Sequence, residues 1–468
     1  MVKSIRLLSI LQIIFFLLNF HIISSYISLP FSYMNKKNNL PKPNTTNAPS
    51  YYDSLYKYPV YSSLKVKDKF YSFHITFDRY ATYIKHDSSE SNKDDYSLEY
   101  IGISEAELST TSFTFLENNK NNITVNDFSI FKVKKLSDVT RHERESNFYA
   151  EEVNEIGLNV YKGNKIGEIK NEQERNNGYK VEEQSNLLEQ LKSKNIITSK
   201  TFMVKYDNKN EEKGNIIIGG FPKEYSENKF IYNNISFYQN FPSWKIVFNQ
   251  IKYGGGDFNL LLYGDLSINF GFIQANIAAA SYFDSKFFLK YIEEGKCKDG
   301  DTGNYIYKYC RGEDVISQFE TISFYLPNSN NENKDNTLKF DYKDLFIKSE
   351  DEDIYYFQIV FARTNKEWVF GRPFFKKYPT VFDQEKKTVG FYLKSGNNNG
   401  NKDFSSNQVG KNGRFAVVFI FVLVLCSILL IALLYFKCSV SGKKEPKSDL
   451  NEKIKNTDDE NEKNSLNA

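Results

Sequence analysis

Trp368-Val369-Phe370-Gly371-Arg372-Pro373-Phe374-Phe375-Lys376-Lys377-Tyr378-Pro379-Thr380-Val381-Phe382-Asp383, followed closely by Val389-Gly390-Phe391, is the most informative run in this chain of 468 residues. Short aromatic and β-branched segments are broken by Gly and Pro, the signature of strands joined by tight connections. Gly371 leaves room for another backbone to approach closely, since it carries no side chain. Phe374, Val381, Phe382 and Phe391 then supply bulk for a packed core.

Working outward, the same texture recurs in Lys69 to Phe77, Asn215 to Ile218, Trp244 to Phe248 and Tyr355 to Phe361, which predicts a mainly β chain. Two stretches depart from it. Glu183 to Lys192 and Ala278 to Ile292 place apolar residues at helical spacing among good helix formers. Between the ordered segments lie Asn- and Lys-rich patches, Asn118 to Asn122, Lys205 to Lys213 and Asn328 to Asn336, which read as surface loops. Gly254, Gly255 and Gly256 precede Asp257 and Phe258, with no Lys-Ser/Thr to make a phosphate loop, so they read as a turn.

The ends of the chain carry addresses. Lys3 and Arg6 precede an apolar run from Leu7 to Ile23 and the small residues Ser24 and Ser25, the order of a secretory signal at 1–25, or of an uncleaved anchor. Phe415 to Tyr435 carries no charge and is long enough to cross a bilayer as one helix. Lys437, Lys443, Lys444 and Lys447 follow it, so the positive-inside bias puts the tail in the cytosol and makes the chain a single-pass type I membrane protein. The expected plan is a signal peptide (1–25), an N-terminal linker (26–50), lobes at 51–225 and 226–396, a flexible stalk (397–414), a transmembrane helix (415–436) and a cytosolic tail (437–468). The expected location is the secretory pathway or the cell-surface membrane, with the folded part lumenal or extracellular.

Composition excludes several classes. A net charge of +3 and the lack of a basic stripe argue against nucleic acid. Four His residues show no metal-ligand spacing, and no cofactor motif is present. Cys297 and Cys310 are the only ectodomain cysteines, an even pair that predicts one disulfide in an oxidising compartment. Cys426 lies inside the expected span and Cys438 just beyond it, where it is either a palmitoylation site or an unmodified thiol. Asn44, Asn122 and Asn234 each open a glycosylation sequon.

Order and motif together resemble the pepsin-like aspartic proteases, the plasmepsins included. The run from Trp368 with Val389-Gly390-Phe391 resembles the end of these enzymes, where Gly-x-x-Phe leads into "YxVFD" and "VGF" strands. Tyr149-Ala150 with Ile156-Gly157-Leu158 resembles "A…GILGL"; Leu187 to Leu191 with Phe202-Met203-Val204 resembles a helix and its following strand. Asn215 to Gly220 is similar to "G-x-L-x-x-GG", and Pro242 to Ile246 to the "YW" strand between lobes. The resemblance spans 51 to 396 and implies a bilobal pepsin-like double-barrel fold.

It also implies a catalytic pair: two carboxylates, one per lobe in Asp-Thr/Ser-Gly turns, sharing a proton to activate water. The first turn aligns with Asp78-Arg79-Tyr80, which keeps the acid and loses the hydroxyl and the Gly. The second aligns with Asn269-Phe270-Gly271-Phe272, where the acid has become an amide; Asp265 is the alternative second acid. Ser97 to Ser104 resembles the flap and puts Tyr100 at the substrate-binding tyrosine. The expectation is a membrane-anchored, catalytically inactive pseudoprotease that binds a peptide or protein partner in its cleft. The alternative is an active divergent aspartic endopeptidase cleaving secretory or surface proteins, and a purely structural surface protein is a third reading.

Overall fold

Ile27, Leu29, Phe31 and Tyr33 alternate with Ser28, Pro30 and Ser32, and in the computed structural model of the chain residues Ile27–Tyr33 form a strand whose four apolar side chains are buried. This corrects the linker expected at 26–50, because its Asn- and Lys-rich composition begins only at Asn35 while the preceding residues have the period-2 alternation of a half-buried strand. The structure describes residues 26–33, 59–77, 79–85, 95–98, 103–117, 122–136, 154–160, 184–207, 212–222, 224–225, 229–236, 243–253, 256–258, 262–301, 305–327, 336–349, 353–363 and 367–393. All of them fall within one compact unit, Met1–Ser395.

Ile27–Tyr33 pairs antiparallel with Lys213–Ile218, from Ile27 opposite Ile218 to Ser32 opposite Lys213. From there a 13-stranded sheet runs one way through Thr201–Tyr206, Thr380–Asp383 and Thr388–Tyr392 to Phe230–Asn234, and the other way through Val60–Val66 and Lys69–Thr76 into the N-terminal half. Phe382 lies opposite Phe202 in this sheet, so its central part is built from both halves of the chain. The C-terminal half adds a 9-stranded and a 4-stranded sheet.

The informative run divides into the strand Trp368–Phe370, the short helix Arg372–Lys377 and the strand Thr380–Asp383. Pro373 stands in the first turn of that helix, where its fixed φ and missing N–H cost nothing. Both expected helices form. Leu187–Ser193 is capped by the Asn186 side chain, which accepts from Glu189 N. Ile277–Phe283 and Leu289–Glu293 continue through the π-helical turn Asp284–Phe288.

Where the halves meet, the core is aromatic. Phe382 stacks on Phe202 at 4.6 Å and meets Trp244 at 4.9 Å and Phe77 at 5.0 Å. Each such pair contributes about 0.5–1.5 kcal/mol beyond area burial, so this cluster is one reason for a chain with 16% aromatic residues. Cys297 and Cys310 sit opposite each other on antiparallel strands and form the expected disulfide.

Among the described residues no helix is long and apolar enough to cross a membrane. The segments expected to be a signal (1–25), a stalk (397–414), a membrane span (415–436) and a cytosolic tail (437–468) lie outside the described residues, as does Asn44. Asn122 and Asn234 are exposed.

Candidate functional site

Two glycines organise the floor between the lobes. In the N-terminal lobe Lys69–Thr76 runs parallel to Glu155–Gly157, with Thr76 opposite Gly157. In the C-terminal lobe Leu262–Leu266 runs parallel to Trp368–Phe370, with Leu266 opposite Phe370, so Gly371 is the next residue along. A Cβ on Gly157 would collide with the carbonyls of Arg79 and Ala81, and a Cβ on Gly371 with those of Phe270 and Phe272. Glycine is therefore required at both positions by close backbone approach.

The two cradles match residue for residue, Arg79 with Phe270 and Ala81 with Phe272. Stepping back one residue, position 78 corresponds to 269. Asp78 itself lies outside the described residues, and so does Tyr100. Asp265 does not occupy a turn. It sits in mid-strand opposite Lys245.

Asn269 is 4% exposed. Its Oδ1 accepts from Val60 N at 3.1 Å, and its Nδ2 donates to Ile75 O at 3.0 Å. One partner is a donor and the other an acceptor, so the site is matched to an amide. A carboxylate would satisfy Val60 and face the Ile75 carbonyl with a second acceptor. Asn269 thus fastens the C-terminal lobe to two strands of the N-terminal one.

The bulky residues of the first turn are turned to other partners. Arg79 Nε lies 3.9 Å from Glu155 Oε2, and His74 Nδ1 lies 3.8 Å from the other oxygen of that carboxylate. Tyr80, at the position matching Gly271, donates its hydroxyl to Glu189 Oε1 at 3.2 Å, and its carbonyl accepts from Asn186 Nδ2 at 2.6 Å. Lys200 Nζ pairs with the same Glu189 oxygen at 2.7 Å. The first turn is therefore tied to the helix Leu187–Ser193. In the second turn Phe272 is buried against Tyr305, with ring centroids 5.5 Å apart.

Two more hydrogen bonds cross the floor. Trp244 Nε1 donates to Leu158 O at 2.8 Å, and Gln384 Nε2 donates to Asn159 O at 2.5 Å. Asn159 N in turn donates to Arg79 O, so the crossing reaches the first turn.

Asp265 has its own surroundings. Ser243 Oγ donates to its Oδ1 at 2.8 Å, and Lys245 Nζ lies 3.5 Å from Oδ2 and 2.8 Å from Glu367 Oε2. Burial pushes the Asp265 carboxyl up to about 6; Lys245 and Ser243 oppose the shift, and the Glu367 carboxylate adds to it. Among the described residues no cluster of His, Cys, Asp and Glu suits a metal ion.

Two lobes with matched strand–turn–glycine units, joined by a shared sheet, define the pepsin-like class of protein. The family model for eukaryotic aspartyl protease matches residues 62–393, and the chain belongs to that family. Among solved structures, basic 7S globulin from soybean superposes with a TM-score of 0.53 at 10% identity, covering 79% of this chain and 97% of that one. No curated protein matches the chain by sequence.

Proposed function

We propose that the protein is a membrane-tethered pseudoprotease, an aspartic-protease-like chain that binds an extended peptide or protein segment in its cleft without cleaving it. One observation carries the reading: the second catalytic position is an amide whose two polar atoms are both committed to backbone, Val60 N and Ile75 O. Water activation by a shared-proton pair needs a carboxyl there to hold or release the proton. An amide does neither. Arg79 and Tyr80 support the same reading, since they replace the hydroxyl and the glycine of the first turn and are tied to Glu155 and Glu189.

An active divergent endopeptidase would need Asp265 as its second acid. That carboxyl is mid-strand, engaged by Lys245 and Ser243, and outside the turn cradled by Gly371. Peptide binding without chemistry is available to a β-rich cleft, because backbone pairing and side-chain pockets supply affinity on their own. The anchor at 415–436 would hold this surface on the lumenal or extracellular side of a secretory or plasma membrane.

The test is to incubate the full chain in detergent with a random peptide library and identify bound peptides by mass spectrometry. The reading expects a selected set recovered at full length. Recovery of cleaved products alone, or no selection above a denatured control, contradicts it.

A further inference from the structure

Lys245 is 8% exposed, and its ammonium bridges two carboxylates, Asp265 on the adjacent strand and Glu367 just before Trp368. Two half-buried acids around one buried lysine leave one negative charge over, and a partly desolvated carboxylate with that surplus beside it is favoured to take up a proton. The partners of Asn269 are Val60 N and Ile75 O, so the amide described above does not account for this ion-pair cluster.

Their place in the fold gives proton uptake something to act on. Asp265 holds Ser243 through the hydroxyl hydrogen bond, and Lys245 lies opposite Asp265 in the sheet. Between Ser243 and Lys245 stands Trp244, whose indole crosses to Leu158 O in the N-terminal lobe and whose ring packs on Phe202 and Phe382. Leu266 N, next to Asp265, donates to Trp244 O. The residue that bonds across the lobes is therefore clamped on both sides by partners of one carboxyl.

We propose that Asp265, Lys245 and Glu367 form a proton-operated latch that sets how Trp244 is held against the N-terminal lobe. With Asp265 ionised, Lys245 is shared between the two acids, and Ser243 and Lys245 are both drawn to the Asp265 strand. With Asp265 protonated, Lys245 pairs with Glu367 alone, and the neutral carboxyl holds Ser243 less strongly. The charged groups around Asp265 are Lys245 and Glu367, and burial is the main cause that keeps its proton on. Burial holds the Asp265 carboxyl up at about 6, so a fall in pH into the mildly acidic range works the latch.

The chain provides its own reporter. It contains two tryptophans, Trp244 beside Lys245 and Trp368 beside Glu367. Tryptophan emission of the full chain in detergent, followed from pH 4.5 to 7.5, is expected to show a reversible transition near pH 6. Trp368→Phe should keep it, which assigns it to Trp244, and Asp265→Asn should abolish it. Glu367→Gln should keep a transition but move it to lower pH, because the repelling carboxylate is gone. A flat profile in the native chain, or an unaltered midpoint in Asp265→Asn with native far-ultraviolet circular dichroism, overturns the proposal. If Asp265→Asn does not fold, the direction of the Glu367→Gln shift decides, and no shift or an upward one overturns it.

Discussion

Placing an acid at position 269 should harm the protein. In Asn269→Asp one oxygen can still accept from Val60 N, while the other replaces an amide that donates to Ile75 O at 3.0 Å. The variant loses a hydrogen bond, leaves a buried carbonyl unsatisfied and sets a carboxylate against it, which together cost about 3 kcal/mol at pH 7. Protonation repairs most of this, since a neutral carboxyl can donate to Ile75 O. The introduced carboxyl is therefore pushed up, and at 1.36 kcal/mol per unit a cost of about 3 kcal/mol corresponds to a shift of about two units. Over that window the folded state binds more protons than the unfolded state, so the variant loses stability relative to the native chain as pH rises from about 4 to about 6. Urea unfolding of both chains, read by the buried Trp244 and Trp368, measures the difference at each pH. A variant as stable as the native chain at pH 7, or one that gains stability with rising pH, refutes the assignment of Asn269 as an amide lock.

Gly157→Ala and Gly371→Ala should each cost more than about 3 kcal/mol or prevent folding, because the added methyl meets backbone carbonyls that cannot yield; expression and thermal unfolding of the two variants check this. Trp244→Phe keeps the ring against Phe202 and Phe382 but strands Leu158 O, an expected loss of about 1–2 kcal/mol by urea unfolding. Replacing Cys297 and Cys310 by Ser together should cost about 3 kcal/mol, the chain-entropy value for a loop with a separation of 13 residues. Asp265 is held above its ordinary range by burial, so its contribution to stability falls as pH rises from about 4 to about 6, and Asp265→Asn should flatten the stability profile over that window.

Much of the fold was legible because its signals are local. Gly371, Pro373 and the aromatic run around them set a strand, a turn of helix and another strand within sixteen positions of one another in the sequence, and the apolar spacing of 278–292 was enough for a helix. The strand Ile27–Tyr33 was hidden because composition averaged over 26–50 is dominated by the Asn- and Pro-rich remainder, while only its own alternation marks it. At the site, the motif alignment points to Asn269 but not to its partners. Val60 and Ile75 are 209 and 194 residues away, and no sequence pattern announces which backbone groups a side chain will meet after folding. The partners of Arg79 and Tyr80 were hidden for the same reason. Substitutions that look like decay in a turn motif are, in the folded chain, ends of an ion pair to Glu155 and a hydrogen bond to Glu189. The Lys245 cluster is not legible in sequence, because Asp265 and Lys245 are brought opposite each other by a strand register that only the fold supplies.

Peptide-bond cleavage tests most directly whether the amide at Asn269 leaves the cleft without a water-activating pair. The full chain, assayed against a fluorogenic peptide library from pH 3 to 8, should release no product above a denatured control. Cleavage that Asp78→Ala abolishes would contradict the account.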